Sequence, residues 1–335
     1  MEMNIQEMKN CTLCPRNCRA DRSAGKIGYC GQTNEIRIAR AALHFWEEPC
    51  ISGKNGSGAV FFSGCNLRCV FCQNRDIAIG QRGQIVTGQR LTDIFLELQD
   101  QGANNINLVT PAHYVPQIVR ALEQAKARGL NIPIVYNTSS YEKTETLRML
   151  EGLVDIYLPD MKYSSAQLAA RYSAAPDYFE TAMAAIAEMV RQAGIPVFAA
   201  ADGRLLDAEQ MNEACMAGAD SDFLMKKGVI VRHLVLPGQE EDSRAVLWEL
   251  LQAFENRIYV SIMNQYTPMT QFTKYPELNR KVRAEVYDDI LEFALDIGME
   301  NVFIQDGDTA QESFIPAFDG EGVTEYVEKN LSDDL

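Results

Sequence analysis

Long apolar runs are missing from this 335-residue chain, and basic charge is in short supply. No stretch approaches the length that spans a bilayer. Thirty-one Lys and Arg stand against 46 Asp and Glu, a net charge of −15. That balance argues against non-specific nucleic-acid binding and against docking on anionic membranes. Met1 to Asn10 is polar and mixed in charge, so no secretory leader is expected. The Gly-rich run Gly53-Lys54-Asn55-Gly56-Ser57-Gly58 lacks the Lys-Ser/Thr ending of a nucleotide-binding P-loop and reads as a turn into a strand. A disulfide framework is not expected either. The nine cysteines are an odd number, and seven of them fall into two tight groups, which suits metal sites in a reducing cytoplasm. Cys50 and Cys215 stand apart and read as inert thiols.

What is present centres on residues 58–74. The run Ala59 to Phe62 is apolar, short and β-prone, and it stops at Ser63-Gly64. Cys65, Cys69 and Cys72 follow in a C-x3-C-x2-C spacing. Three thiols on one tight loop at the end of a buried strand suit cubane iron–sulfur ligation, with one iron lacking a local ligand. The bland alternative is structural zinc, with His44 or Cys50 as the fourth ligand. The spacing, with Phe71 before the last cysteine, resembles the signature of the radical S-adenosylmethionine (SAM) superfamily. The resemblance implies a 4Fe–4S cluster on Cys65, Cys69 and Cys72 whose open iron chelates SAM. It further implies reductive cleavage of SAM to methionine and a 5′-deoxyadenosyl radical, which abstracts a hydrogen atom. An external electron donor such as flavodoxin or ferredoxin is then expected.

The second group is Cys11, Cys14, Cys18 and Cys30, interleaved with Pro15, Gly25 and Gly28. Such a segment can hardly build a core unaided, so a metal that folds it is the economical reading. Zinc on four cysteines and a second iron–sulfur cluster both fit, and spacing does not separate them. The module could be structural or could relay electrons.

Along the chain, strands and helices alternate. Core strands are expected near 59–62, 106–109, 132–136, 154–158, 229–236, 257–263 and 301–305. Helices are expected near 92–101, 115–128, 142–150, 164–173, 177–193, 241–255 and 277–297. Residues 36–39 read as a short strand in a connecting stretch. The expected fold class is α/β: a partial TIM-type (β/α)6–7 barrel of the radical SAM kind, with a small N-terminal Cys-rich metal-binding module. The expected divisions are a module and linker over 1–56, a barrel over 57–310 with an insertion near 194–227, and an acidic tail over 311–335.

An active site on such a barrel lies at the C-terminal strand ends. Those ends carry Thr110 and His113, Asn137, Asp160 and Lys162, Arg232 and His233, Asn264 and Gln265, and Gln305 and Asp306. Strand alternation sets Arg232 and His233 on opposite faces, so one of them turns to the helices. Asp160, Lys162 and Arg232 read either as an ion network or as receptors for a zwitterion. Glu47 and Glu48 read as substrate contacts or, by default, as solvated charge.

Cys72-Gln73-Asn74, the Asp-x-Lys of Asp160 and Lys162, and Arg232-His233-Leu234-Val235-Leu236-Pro237-Gly238 are similar to the activating enzymes of glycyl radical enzymes. Within them, the pyruvate formate-lyase activating-enzyme homologues of the PflX type fit best. This implies that Asn74, Asn137, Asp160, Lys162 and Arg232 line the SAM site, with Lys162 and Arg232 near the methionyl carboxylate. A glycyl radical enzyme is the implied partner. The family's Gly-Gly-Glu after the second strand is absent here, so its role falls to backbone carbonyls, Thr110 or His113, and Gln265 or Tyr266 stands where a family His would lie. The substrate stays open, and the reading of another class is a non-catalytic two-cluster electron carrier or scaffold.

Overall fold

The computed structural model describes residues 8–79, 82–216, 223–305 and 315–324. Asp306 lies outside the described residues, as does most of 311–335.

Seven strands run parallel and lie side by side in chain order: β2 (Ser57–Phe62), β4 (Ile106–Val109), β5 (Ile134–Thr138), β6 (Ile156–Pro159), β9 (Leu224–Leu234), β10 (Tyr259–Met263) and β11 (Val302–Ile304). Helices return the chain between them, as parallel pairing requires. β2, β4, β5 and β6 are buried at every position, because helices cover one face and the lumen filling covers the other. The result is an α/β fold whose mostly parallel sheet does not close on itself. The helix Gly88–Asp100 shows the local logic. Thr87 caps it by accepting from the Arg90 amide at 3.1 Å, and Leu91, Ile94, Phe95 and Leu98 form one buried stripe.

Two expected elements change. The helix near 277–297 begins at Ala284, because a single 3-10 turn over Pro276–Asn279 and an extended stretch precede it. The short strand near 36–39 is the nine-residue β1 (Ile36–His44). It pairs antiparallel with β2 and with β3 (Gln84–Val86), so the edge of the parallel sheet is continued. Residues 197–227 hold a small antiparallel extension. β7 (Val197–Ala199) pairs with β8 (Leu205–Leu206) and with the start of β9. Gly228 sits at φ +138 where β9 leaves β7 and joins β6, a conformation that favours glycine.

The described C-terminal stretch lies on β1. The Ala41 amide donates to Glu321 O at 2.8 Å, and the Gly320 amide donates to Ala39 O at 3.0 Å. Buried Arg90 holds the end of this stretch through the carbonyls of Gly322, Val323 and Thr324. Among the described residues no helix is long and apolar enough to cross a membrane.

Candidate functional site

Register sorts the lumen into two layers. Val135, Ile156, Leu158, Ile230 and Tyr259 form an apolar lower layer. Cys50 and Ile51 pack into it from the short helix Pro49–Ser52, so residues 45–53 plug the bottom of the sheet. Two places further along the same strands stand Asn137, Asp160, Arg232 and Ser261, all facing the same side. Above the apolar layer lies a cavity of about 310 Å³. Cys65, Cys69 and Cys72 line it, together with Asn74, Thr110, Asn137, Asp160, Lys162, Arg232 and Gln265.

The cavity wall is an ion network. Lys162 Nζ donates to Asp160 Oδ2 at 2.8 Å, and Arg232 Nε donates to Asp160 Oδ1 at 3.2 Å. Arg232 Nη1 meets Glu47 Oε2 at 3.2 Å, and Nη2 donates to Asn137 Oδ1 at 2.5 Å. Asn107 Nδ2 donates to Glu47 Oε1 at 3.0 Å. Burial opposes ionisation of Asp160, yet Lys162 and Arg232 outweigh it and hold the carboxyl below its ordinary range. Burial likewise disfavours charge on Lys162 and Arg232, and Asp160 overrides it in both. Glu47 and Glu48 differ: burial dominates and raises both.

This corrects the reading of Glu47 and Glu48 as solvated. They sit on the plug, and Glu48 is only 9% exposed. The signal for them was slight: two adjacent carboxylates followed by Pro-Cys-Ile. His113 is the other correction, because it does not reach the cavity. The 3-10 turn Ala112–Tyr114 buries its ring, with Nε2 2.8 Å from Ser63 O, and burial pulls its pKa down to about 3. Thr110 does line the cavity. Its φ of +60 is unusual for a β-branched residue, and its amide donates to Asn137 O at 2.9 Å. His233 turns to the helices, as alternation with Arg232 requires. Its ring nitrogens lie 2.7 Å from Met161 O and 2.9 Å from Ser243 Oγ.

The thiol loop is tightly set. Phe71 is enclosed by the edges of Tyr163, Tyr172 and Tyr266. Ser173 Oγ donates to Cys69 Sγ at 3.1 Å, and the Leu67 amide donates to Cys65 Sγ at 3.4 Å. Burial first, and the neighbouring thiols second, push Cys72 up to about 12. Burial raises Cys69 as well, and a positive centre is the natural relief for those two thiols. Among the described residues no three His, Cys, Asp or Glu side chains converge as they would around one metal ion. A cubane binds each thiolate at a different iron, so its ligands stand wider apart, and three thiols on one buried loop fit that group.

The N-terminal thiols lie next door. The Cys65 amide donates to Cys30 O at 3.1 Å. A side chain at Gly64 (φ +91) would press on Gln32 and Cys30 O. Cys11, Cys14, Cys18 and Cys30 feel one another electrostatically, and a side chain at Gly28 would touch the sulfurs of both Cys18 and Cys30. Arg16 donates to Asn66 O at 2.9 Å and to Ser173 O at 2.8 Å, tying this module to the barrel thiol loop.

The family model of the radical SAM superfamily matches residues 59–213. An uncharacterized protein of Methanocaldococcus jannaschii is 25% identical over 302 residues, 88% of this chain and 77% of that protein. Streptococcus suis SuiB, solved bound to the precursor peptide SuiA, is 11% identical over 73% of this chain and 47% of its own, with a TM-score of 0.43. Methylornithine synthase is 12% identical over 72% of this chain and 68% of its own, with a TM-score of 0.39. This chain thus spans about half the length of SuiB. The matched span, residues 59–213, is just under half of the chain, and it takes in the three-cysteine loop and the strand ends that carry Thr110, Asn137, Asp160 and Lys162.

Proposed function

We propose that this protein is a radical SAM enzyme that abstracts a hydrogen atom from a substrate held in the 310 Å³ cavity. The observation that carries the proposal is the meeting of Cys65, Cys69 and Cys72 with the Asp160, Lys162, Arg232 and Asn137 network in that one cavity. A 4Fe–4S cluster on the three cysteines, with SAM bound to it, would supply a 5′-deoxyadenosyl radical once reduced. The chain's own groups do the rest. Asp160 offers an ionised acceptor for an ammonium, and Lys162 and Arg232 offer fixed cations for a carboxylate, which together suit the methionyl end of SAM. Asn74, Asn137, Thr110 and Gln265 supply neutral hydrogen-bonding groups along the walls. Phe61, Leu67, Ile77 and Val109 exclude water from the same space.

The electron donor on this reading is a flavodoxin or ferredoxin type of protein in the cytoplasm. The N-terminal cysteines hold zinc or a second iron–sulfur cluster. The finer reading, an activating enzyme acting on a glycyl residue of a partner, is supported by the Cys72-Gln73-Asn74 run and the 232–238 motif.

Protein purified and reconstituted without oxygen, then reduced with dithionite in the presence of SAM, is expected to release 5′-deoxyadenosine. Alanine at Cys65, Cys69 and Cys72 is expected to abolish the release. A fully loaded and reduced protein that forms none would leave the electron-carrier or scaffold reading in its place. A glycyl-radical signal in a candidate partner, seen by electron paramagnetic resonance, would establish the finer reading.

A further inference from the structure

Five charged side chains line the cavity among the described residues: Glu47, Glu48, Asp160, Lys162 and Arg232. Three are acids and two are bases, so the walls are one cation short. The deficit is local. Asp160 takes both Lys162 and Arg232, and Glu47 takes Arg232 and Asn107. Among the described residues Glu48 makes no ion pair within 4.0 Å, although Arg232 is near enough to work against the effect of its burial. Ser261 stands near its carboxyl, but its Oε2 is buried and has no partner. Asn107, whose amide holds Glu47, carries a second buried acceptor without a partner, Oδ1. Buried acceptors left bare are costly, and they persist where something else completes them. What both atoms lack is a donor.

Of the two acceptors only that of Glu48 belongs to a residue lining the cavity, and an ammonium group answers it, since it offers three donors, no acceptor and a compact charge. Location separates it from SAM. Asp160 and Lys162 stand beside the thiol loop, where Lys162 acts on Cys69 and Cys72. The charged and thiol neighbours of Glu48 are Glu47 and Cys50 of the plug and Arg232, which also reaches Asp160. Trp46 also lines the cavity and is 58% exposed, so an aromatic face stands one residue from this carboxylate pair.

We propose that Glu48, with Glu47 beside it, is the receptor for a primary ammonium group of the substrate. The site would take a small amine, seated at the end of the cavity opposite the Cys65–Cys72 loop. Only the word "substrate" rests on the radical SAM reading. The receptor itself rests on the orphaned acceptor of Glu48.

The chain has two tryptophans, so full-length protein carrying Trp248→Phe reports from Trp46 alone. Titration of this protein with n-pentylammonium chloride is expected to change Trp46 emission saturably, and 1-pentanol is expected not to. Glu48→Gln should weaken ammonium binding at least about tenfold, because it removes a charge-assisted bond. The same variant should unfold at an unchanged or higher temperature, since it removes a buried carboxylate without an ion pair. Equal response to the alcohol would overturn the proposal. So would ammonium binding that ignores Glu48→Gln, or a marked fall in the variant's unfolding temperature, which would make Glu48 a structural partner of Arg232. A loss of SAM affinity in Glu48→Gln as large as the loss for the amine would overturn it too, by making SAM's own ammonium the occupant. Failure to form 5′-deoxyadenosine defeats the radical reading and leaves the amine receptor standing. Failure to bind pentylammonium does the reverse.

Discussion

The two sets of thiols are one hydrogen bond apart, Cys65 N to Cys30 O, and they are held in opposite ways. Cys65, Cys69 and Cys72 hang from a fully buried strand, and Phe71 between them is locked among three tyrosines. Cys11, Cys14, Cys18 and Cys30 have almost no regular structure beneath them beyond a 3-10 turn over Arg22–Ala24. Their own small apolar cluster is Met8, Cys11 and Leu13, all three from one short stretch and one of them itself a thiol of the set. The barrel thiols are placed by the strand and by the packing of Phe71. The N-terminal thiols depend on each other and on what they dock against. One loop is a site supplied by a fold, and the other is a fold waiting on a site.

The sharpest break of that comparison is to remove each set in turn. Alanine at Cys65, Cys69 and Cys72 should cost a cubane's worth of iron and reduce 5′-deoxyadenosine to background. The thermal midpoint should hardly move, because the sheet does not rest on those sulfurs. Alanine at Cys11, Cys14, Cys18 and Cys30 should instead open the N-terminal segment to limited proteolysis while the barrel resists. Metal analysis of the two variants also assigns zinc or iron to each set. If the barrel variant unfolds as readily as the N-terminal one is cut, the contrast fails.

A smaller effect falls on the wall facing the barrel thiols. Arg232→Ala leaves Asp160 with one cation and Glu47 with none, all in a buried setting. Removing one partner of a buried ion network costs about 3–5 kcal/mol. Urea unfolding should show that loss, and SAM binding should fall with it. An Arg232→Ala protein of unchanged stability would mean that the network is hydrated rather than buried.

Smaller again is the tie between the two regions. Arg16 donates to Asn66 O and Ser173 O, and its guanidinium lies over the rings of Tyr29 and Tyr141. Arg16→Ala should destabilise the docking by about 2 kcal/mol, since charged hydrogen bonds to carbonyls are worth about that much net. Hydrogen exchange at the Cys65 amide should speed up, while amides of β5 and β6 stay protected.

How far this was legible in the sequence divides along the same line. The seven parallel strands and their polar ends could be read because each strand is a short apolar run that stops at a residue a core cannot use. Asn137, Asp160 and Arg232 announce themselves in that way. The plug could not be read so. Glu47 and Glu48 sit in a linker beside Pro49, where charge is normally solvated, and only tertiary packing turns them inward. The long β1 was hidden because Arg37 and Arg40 interrupt its apolar pattern. Arg37 Nη1 donates to Gly83 O at 2.8 Å, and Arg40 pairs with Asp319 and Glu321, so both charges are used at the sheet edge. Those same two acids made residues 315–324 resemble a solvated tail, although Val323 is fully buried. His113 shows the converse error. A strand-end histidine is a fair candidate for chemistry, but here the turn that follows folds it back under Ser63.

The smallest prediction tests the segment that both thiol regions share. Asn66 Nδ2 donates to Tyr141 O at 2.6 Å on the barrel side, and Thr146 Oγ1 donates to Leu13 O at 2.7 Å on the N-terminal side. Glu142 lies between these contacts and is buried, accepting from Thr138 Oγ1 and from Tyr136 Oη. Burial outweighs those donors and raises its carboxyl from 4.5 to about 7. A carboxyl raised in the folded state favours folding most while it is protonated there. Its contribution is therefore complete below the unfolded value and is lost as pH rises through the folded one. Stability should fall by about 1 kcal/mol between about pH 6 and pH 8 from this group, and Glu142→Gln should flatten that slope. Exchange rates at the Leu67 and Cys14 amides, followed over the same range, then separate two cases. If both rise together with pH, Glu142 couples the barrel loop to the N-terminal module. If only the barrel side responds, the module is held by Arg16 and its other contacts rather than through Glu142, and the two thiol sets are more independent than their single hydrogen bond suggests.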